Sequence, residues 1–561
     1  MSQPLEHFTR SASDVNEKDP VIVIPEALAR CDSLAAVALR LFLVLACTFL
    51  LLTSREPPWA DAHVVYDTTQ ALVDHHELNV HLEGPPQFFT YRQGKKYGAF
   101  PLGNVVAMVP SYLAFKTLHR LHLFPDAPLF ALCSHLSPAL LLAAAGAVFY
   151  GLSRRRGASP RLAAFLTLGL GFSTLCFCYA RSAYAEALQT LLLILVVSST
   201  LRAADGKKLP ALDFLLLGLY AGALVNSKLV NALLLPPVPI YLVWSRLQRA
   251  RLEGRAPIAA VRELVGPFAL ALVGFAPLVA LALWHNWLKT GSPWSAGYQI
   301  PNGVFSGDLL PAIYGFLLSP GRSVFLYSPP LLLLLPALGA AWRQKRAETL
   351  FLGSLILIGL LWNSKFRAWH GDYCWGPRYL VPFIPLAMLL LLPWLPEALR
   401  RGRMRLRRAL LVALFGIGFG VQVLGATFYW DHYIRMLIAV KDQTGAGGWF
   451  QEQLGHGHYM PQFSPLRGHL WLLMHKLRKD PDLNRDAPWK LLVPQRFELG
   501  QQFQDLRYDW WLLDFKTPDA QQHPWALPLI IGALGGGLLL GGSSLVGRLF
   551  GRRRATADEA R

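Results

Sequence analysis

Leu34-Ala-Ala-Val-Ala-Leu-Arg40-Leu-Phe-Leu-Val-Leu-Ala-Cys47-Thr-Phe-Leu-Leu-Leu52 is a nineteen-residue stretch with a single charge. As a helix it is about 28 Å long, close to the thickness of a bilayer's hydrocarbon core. It has no polar face, so it does not read as an amphipathic helix on a soluble core. Arg40 lies near one end, where its long stem reaches the interface. The stretch therefore reads as a membrane span. Further apolar runs follow at 127–150, 162–179, 183–201, 211–225, 229–244, 264–283, 324–341, 350–362, 379–395, 409–428 and 525–550. Composition agrees: hydrophobic residues make up 53% of the 561 residues, and charged residues 16% against about 25% in soluble proteins. The expected fold class is an all-α polytopic membrane protein with about twelve transmembrane helices.

The net charge is +19, and a basic chain can signal a nucleic-acid ligand. Here the cations collect between apolar runs: Arg154, Arg155, Arg156 and Arg161; Arg202, Lys207 and Lys208; Arg246 to Arg262; Arg343, Lys345 and Arg346; Arg400 to Arg408; and Arg548 to Arg554. All fall on one side of the membrane if Phe100–Leu121 does not cross. That stretch holds Pro101, Asn104, Pro110, Lys116 and His119, and it reads as an interfacial or re-entrant helix. The positive-inside rule then makes these loops and both termini cytoplasmic, in a multi-pass cell (inner) membrane. The divisions expected are a 1–33 cytoplasmic tail that does not read as a cleaved signal peptide, and a 34–428 transmembrane module whose first external loop is 53–126. A small 429–524 external domain of unclear fold follows, then a 525–561 last span with a basic tail.

Polar residues gather at the external ends of the spans, where each costs free energy unless it is satisfied or used. Asp61 opens an amphipathic helix running to Val73, with Asp67 one and a half turns on. Tyr91-Arg-Gln-Gly94-Lys95-Lys96-Tyr97-Gly98 offers two cations and exposed backbone N–H groups to a phosphate, or forms a solvated turn. Arg181 and Glu186 stand in the next external turn, Lys228 with Asn226 and Asn231 in the one after, and Trp369, Trp375 and Arg378 in the 363–378 loop. Each also has a plain reading as an interfacial anchor or helix cap. Of the six cysteines only Cys374 falls in a polar loop, and the external histidines show no metal-ligand spacing. HExxH, Walker A, GxSxG and GxGxxG motifs are absent.

The order of these features resembles the GT-C superfamily of membrane glycosyltransferases, similar to protein mannosyltransferases and aminoarabinose transferases. The likeness rests on Asp61 to Leu72, Gly94 to Gly103, Tyr179-Ala-Arg181 with Glu186, Leu318 to Arg322 with Tyr327-Ser-Pro329, and Trp375-Gly-Pro-Arg378-Tyr379 to Pro382. It covers about 34–395. It implies transfer of a sugar from a polyprenyl-phosphate carrier to an acceptor hydroxyl on a glycan, lipid or protein at the external (periplasmic) face, with inversion. It further implies Asp61 as general base, and the leaving phosphate neutralised from among Lys95, Lys96, Lys228, Arg322 and Arg378. Tyr97, Arg181, Glu186, Asp67 and Trp375 are the supporting residues, with Arg181 and Glu186 positioning one another and Trp369 and Trp375 as sugar-stacking faces. No cofactor is implied with certainty. The resemblance allows a divalent cation, but many relatives hold an acidic pair where Ala62 follows Asp61 here, and Asp67 lies on another helix face. The competing classes are a flippase or transporter for lipid-linked glycans, which would put ionisable groups near helix midpoints, and a non-catalytic envelope assembly protein.

Overall fold

The computed structural model describes residues 26–58, 60–84, 86–122, 124–206, 209–298, 303–371, 374–398, 404–444, 458–480, 482–488, 490, 506–516 and 522–550. Most of the 1–33 tail, the Lys207–Lys208 pair, the Arg400, Arg401 and Arg403 cations and the tail from 551 lie outside them. The chain is an all-α polytopic membrane protein. Among the described residues eight helices are long and apolar enough to cross a membrane: Leu34–Leu51, Asp126–Arg155, Glu186–Asp205, Leu229–Leu252, Pro257–Thr290, Arg346–Lys365, Arg405–Thr427 and Ala526–Ser543. Shorter apolar helices occupy Pro160–Phe172, Ala211–Ser227, Leu309–Leu318 and Arg378–Leu389.

Proline breaks two of the apolar runs. The apolar run at 324–341 is broken into a turn of helix at Val324–Tyr327, a 3-10 turn at Pro329–Leu333 and a helix at Leu334–Gln344. Pro329 and Pro330 remove two donors and force Ser328 out of helical geometry. Pro382 and Pro385 divide the run at 379–395 in the same way, into Arg378–Phe383 and Ile384–Leu389. The apolar helix Leu309–Leu318 lies inside what reads from sequence as an external loop. Close packing comes from small residues: a Cβ on Gly218 would sit 1.8 Å from the Ala271 carbonyl, and one on Gly274 2.5 Å from that of Leu215. The helices Ala211–Ser227 and Val265–Thr290 thus touch backbone to backbone.

The 53–126 segment folds onto this bundle. The helix Asp61–His75 lies against Leu102–Arg120, which runs unbroken through Pro110. Thr69 Oγ1 donates to the Val105 carbonyl at 3.1 Å, and Tyr66 meets Tyr112 edge-on at 5.7 Å. Between the two helices a hairpin pairs β1 (Phe89–Arg92) with β2 (Lys95–Gly98), Arg92 opposite Lys95. Gln93 and Gly94 both have positive φ, the geometry of a two-residue hairpin turn. The 429–524 block contributes the helices Trp430–Thr444 and Pro465–Arg478, with Tyr433, Met436, Phe463, Trp471 and Leu472 buried between them. Its 506–516 stretch docks on the end of the first span. Trp511 is fully buried, and both Trp510 and Trp511 donate their indole N–H to the Leu51 carbonyl, at 2.7 and 3.2 Å. Cys374, polar-loop in sequence, is completely buried.

Candidate functional site

A cavity of about 1650 Å³ opens where the first loop, the turn after Ser227, the 284–298 segment and the 366–379 loop converge. Its lining includes the apolar residues Val225, Leu229, Leu233, Ala282 and Phe305 and the charged residues Asp61, Glu186, Lys228 and Arg378. Asp61 is the first residue of its helix, after Ala60 with φ 52°, and its carboxylate is favoured by that helix N-terminus. Glu186 begins the Glu186–Asp205 helix, so a second helix N-terminus also presents a carboxylate.

Arg378 stands between the two acids. Its Nη2 is 3.1 Å from Asp61 Oδ2, and its Nε is 3.8 Å from Glu186 Oε1. The guanidinium carbon lies 4.7 Å above the Tyr184 ring and 4.8 Å from that of Tyr379, whose hydroxyl accepts from Nη2 at 3.1 Å. An arginine so clamped is fixed in position as well as in charge. Lys228 occupies the turn between the helix ending at Ser227 and the 3-10 turn Leu229–Leu234. Its ammonium faces the rings of Tyr379 at 4.4 Å and Trp362 at 4.7 Å. Burial pulls its pKa down to about 8, against the opposing pull of Glu186.

The turn carrying Lys228 is held by the interfacial helix. Asn226 Oδ1 accepts from the Gly103 N–H at 3.1 Å, and Asn104 Nδ2 donates to the Ser227 carbonyl at 3.0 Å. A Cβ on Gly103 would lie 2.8 Å from the Asn226 carbonyl oxygen. Gly103→Ala is therefore expected to push the two elements apart and to destabilise the protein by about 1–3 kcal/mol, read as a lowered Tm of the purified protein. Lys289, also on the cavity wall, donates to the carbonyls of Ala99 and Ala296 at 3.0 and 3.1 Å, tying the hairpin to the 291–298 loop.

The structure thus brings together Asp61, Glu186, Lys228 and Arg378 from the residues singled out in sequence. It does not bring the others to the cavity. Lys95 is exposed on the hairpin, 3.8 Å from Glu77, and Lys96 donates to the Leu82 carbonyl and covers the Phe89 ring at 4.0 Å. Tyr97 is buried in the hairpin opposite Thr90. Asp67, on the other side of its helix, has one carboxylate oxygen buried without a hydrogen-bond partner. Arg181 and Glu186 do not pair with each other. Arg181 is buried against Asp509, at 3.5 Å, and donates to the Leu52 and Asp509 carbonyls, while Glu186 takes Arg378. Arg322 is fully buried on loop carbonyls, and Trp369 and Trp375 are packed inside, Trp375 edge-on to Tyr327 at 5.1 Å, so neither offers a free face. Tyr184, Tyr298, Tyr379 and Lys289 line the cavity without having been singled out; so do Asp431 and Arg435 of the 429–524 block. Tyr379 stands inside the Trp375 to Pro382 motif and Tyr184 between Arg181 and Glu186, which is the signal that marks them. Among the described residues no group of three His, Cys, Asp or Glu side chains stands together to hold a metal ion, and Asp61 already faces a guanidinium. Among the described residues the donor set does not fit a divalent cation.

Residues 131–284 match a family model described as Dolichyl-phosphate-mannose-protein mannosyltransferase. That segment includes Glu186 and Lys228, and the match agrees with the GT-C resemblance over this part of the chain. No curated protein sequence matches the chain. Among solved structures the chain is similar to ArnT from Cupriavidus metallidurans bound to undecaprenyl phosphate, with TM-score 0.45 and 16% identity, covering 93% of this chain and 78% of that one. It is similar to the same protein in the apo state, with TM-score 0.44 and 15% identity over the same shares.

Proposed function

We propose, taking the mannosyltransferase-family match of residues 131–284 as premise, that this chain is a membrane glycosyltransferase. It moves a sugar from a polyprenyl-phosphate carrier to an acceptor hydroxyl at the external face, with inversion at the anomeric carbon. The observation that carries this reading is one large cavity lined by apolar residues together with a carboxylate–guanidinium–carboxylate cluster, flanked by a half-buried lysine. The apolar lining suits a prenyl chain and the cations suit its phosphate. Asp61 takes the proton of the acceptor hydroxyl as its oxygen bonds to the anomeric carbon; the bond from that carbon to the phosphate oxygen breaks, and its electron pair leaves with the phosphate. Lys228 and Arg378 stabilise the charge that develops there. Glu186 holds Arg378 from behind, so that the guanidinium keeps its place when Asp61 changes charge. The acceptor is a glycan, lipid or protein hydroxyl, and nucleic acid has no place in this reading.

The test is turnover of radiolabelled polyprenyl-phosphate sugars by the purified protein, with a membrane extract as the source of acceptor. Label passing from the carrier into the acceptor fraction is the expected result. No turnover of any hexosyl or pentosyl donor in that mixture would overturn the reading in favour of a transporter or an assembly protein.

The Lys228 pKa sets a pH dependence. The ammonium is charged below about 8 and neutral above it, so phosphate binding is present at neutral pH and lost as pH rises. The donor KM is expected to increase roughly tenfold between pH 7 and pH 9, and Lys228→Arg, which keeps its charge throughout, should flatten that rise. Initial rates against donor concentration at each pH check both.

A further inference from the structure

The cluster around Arg378 has a support that reaches it from the far end of the chain. Arg378 follows a bend at 374–376 in which Gly376 has φ of 64°. A Cβ on Gly376 would lie 2.7 Å from the Tyr327 ring, so neither the backbone conformation nor the space tolerates a side chain there. The turn is held from below by Arg322. Its Nη1 donates to the carbonyls of Cys374 at 2.7 Å and Gly376 at 2.8 Å, and approaches Cys374 Sγ at 3.0 Å. The Gly376 carbonyl also receives the Arg378 N–H at 3.1 Å. Arg322 is itself oriented by His458 of the 429–524 block. Arg322 Nε donates to His458 Nδ1 at 3.1 Å, and the Gly321 N–H donates to the His458 carbonyl at 3.0 Å.

An arginine N–H can only donate, so Nδ1 must carry its lone pair and the ring must be neutral with its proton on Nε2. The surroundings enforce this. Burial, the Arg322 charge and His370, stacked on it at 4.9 Å, hold the His458 pKa well below the usual histidine range. Trp369 closes the remaining side at 5.7 Å.

We propose that His458 is a positioning residue for the reaction: by accepting the Arg322 Nε–H it sets the guanidinium on the Cys374 and Gly376 carbonyls and thereby fixes where Arg378 meets Asp61. The 429–524 block is then part of the catalytic module. This rests on the reading of Asp61 and Arg378 as the reaction site, and the experiment separates the two.

Full-length His458→Leu, His458→Asn and Arg378→Lys, the His458→Leu/Arg378→Lys double variant and an Asp61→Asn control are compared for transfer kinetics. Alkylation of Cys374 by a maleimide is followed in parallel by peptide mass spectrometry. His458→Leu is expected to lose about 10- to 100-fold in kcat with donor KM little changed, as for a misplaced catalytic group. Asn, whose Oδ1 can take the Nδ1 position, should restore most of it. In the Arg378→Lys background the Leu substitution should cost little more, because both act on one contact. Cys374, buried in the native protein, should become reactive in His458→Leu and stay protected in His458→Asn. Should Leu fold poorly, His458→Ala replaces it in every arm. Equal activity of Leu and Asn variants, additive losses, or an unreactive Cys374 would each overturn the proposal. An active Asp61→Asn would instead overturn the reading of the site, with the Cys374 result still reporting whether His458 holds Arg322.

Discussion

Asp61→Asn is expected to abolish detectable sugar transfer, with kcat falling roughly 10²- to 10⁴-fold, the range lost with a general base. The exchange is close to isosteric, so the cavity keeps its shape while the atom that would receive the hydroxyl proton is gone. The folded protein should survive. Glu186 still stands beside Arg378 when residue 61 is neutral, and the Asp61 charge at the helix N-terminus is worth only about 0.3–1 kcal/mol. The measurement is label transfer from the polyprenyl-phosphate donor alongside the thermal unfolding midpoint of the same preparation. Wild-type turnover in a folded Asp61→Asn protein would remove Asp61 as the base.

Removing the cation that the two acids share should do more damage to the fold and as much to the rate. Arg378→Ala takes from Asp61 and Glu186 the cation that touches both and leaves Lys228 as the remaining charge of the cluster, with Glu186 only 6% and Asp61 22% exposed at their side chains. Loss of one member of a buried pair costs about 3–5 kcal/mol, and the partial exposure of Asp61 puts the expected value near the lower end. Loss of a donor to the developing phosphate charge should lower kcat by a further 10²- to 10³-fold. Arg378→Lys keeps the charge but not the planar group seated between Tyr184 and Tyr379, so it should recover stability more than rate. Thermal midpoints and kcat of the two variants, measured side by side, decide this. Equal recovery of both would show that the site needs a charge and not a fixed fork.

What could be read from sequence was what depends on local order. The first span, the helix starting at Asp61 and the helix after Pro101 follow from hydrophobic spacing and the residues at their ends, and the structure has all three. Runs broken by Pro329, Pro330, Pro382 and Pro385 read as full spans because their composition is apolar, although the backbone donors that a continuous helix needs are missing. Charge at an external turn showed where polar chemistry gathers but not what each side chain meets. Arg322 and Arg378 look alike in sequence; one is spent on carbonyls of the loop that carries the other, and the other on two carboxylates. The partner of Arg181 is Asp509, more than three hundred residues away, and no spacing rule connects them. Lys95 and Lys96 show the converse limit, because the hairpin's own pairing turns one to solvent and lays the other over Phe89.

Asp509 also accepts from Ser54 Oγ at 2.6 Å and from the Arg55 N–H at 3.0 Å, a few residues before Asp61. During synthesis the first external loop is made early, and the residue that latches it is made after all but one of the spans. Until then Arg181 stands at the membrane surface with its buried partner still unmade. The loop before Asp61 is thereby latched late, by contacts 454 and 455 residues apart in sequence, and contacts so non-local are slow to form. A chain cut short before residue 509 would lack the last span and present an unlatched Asp61 loop, so that a truncation late in the chain acts on its first loop.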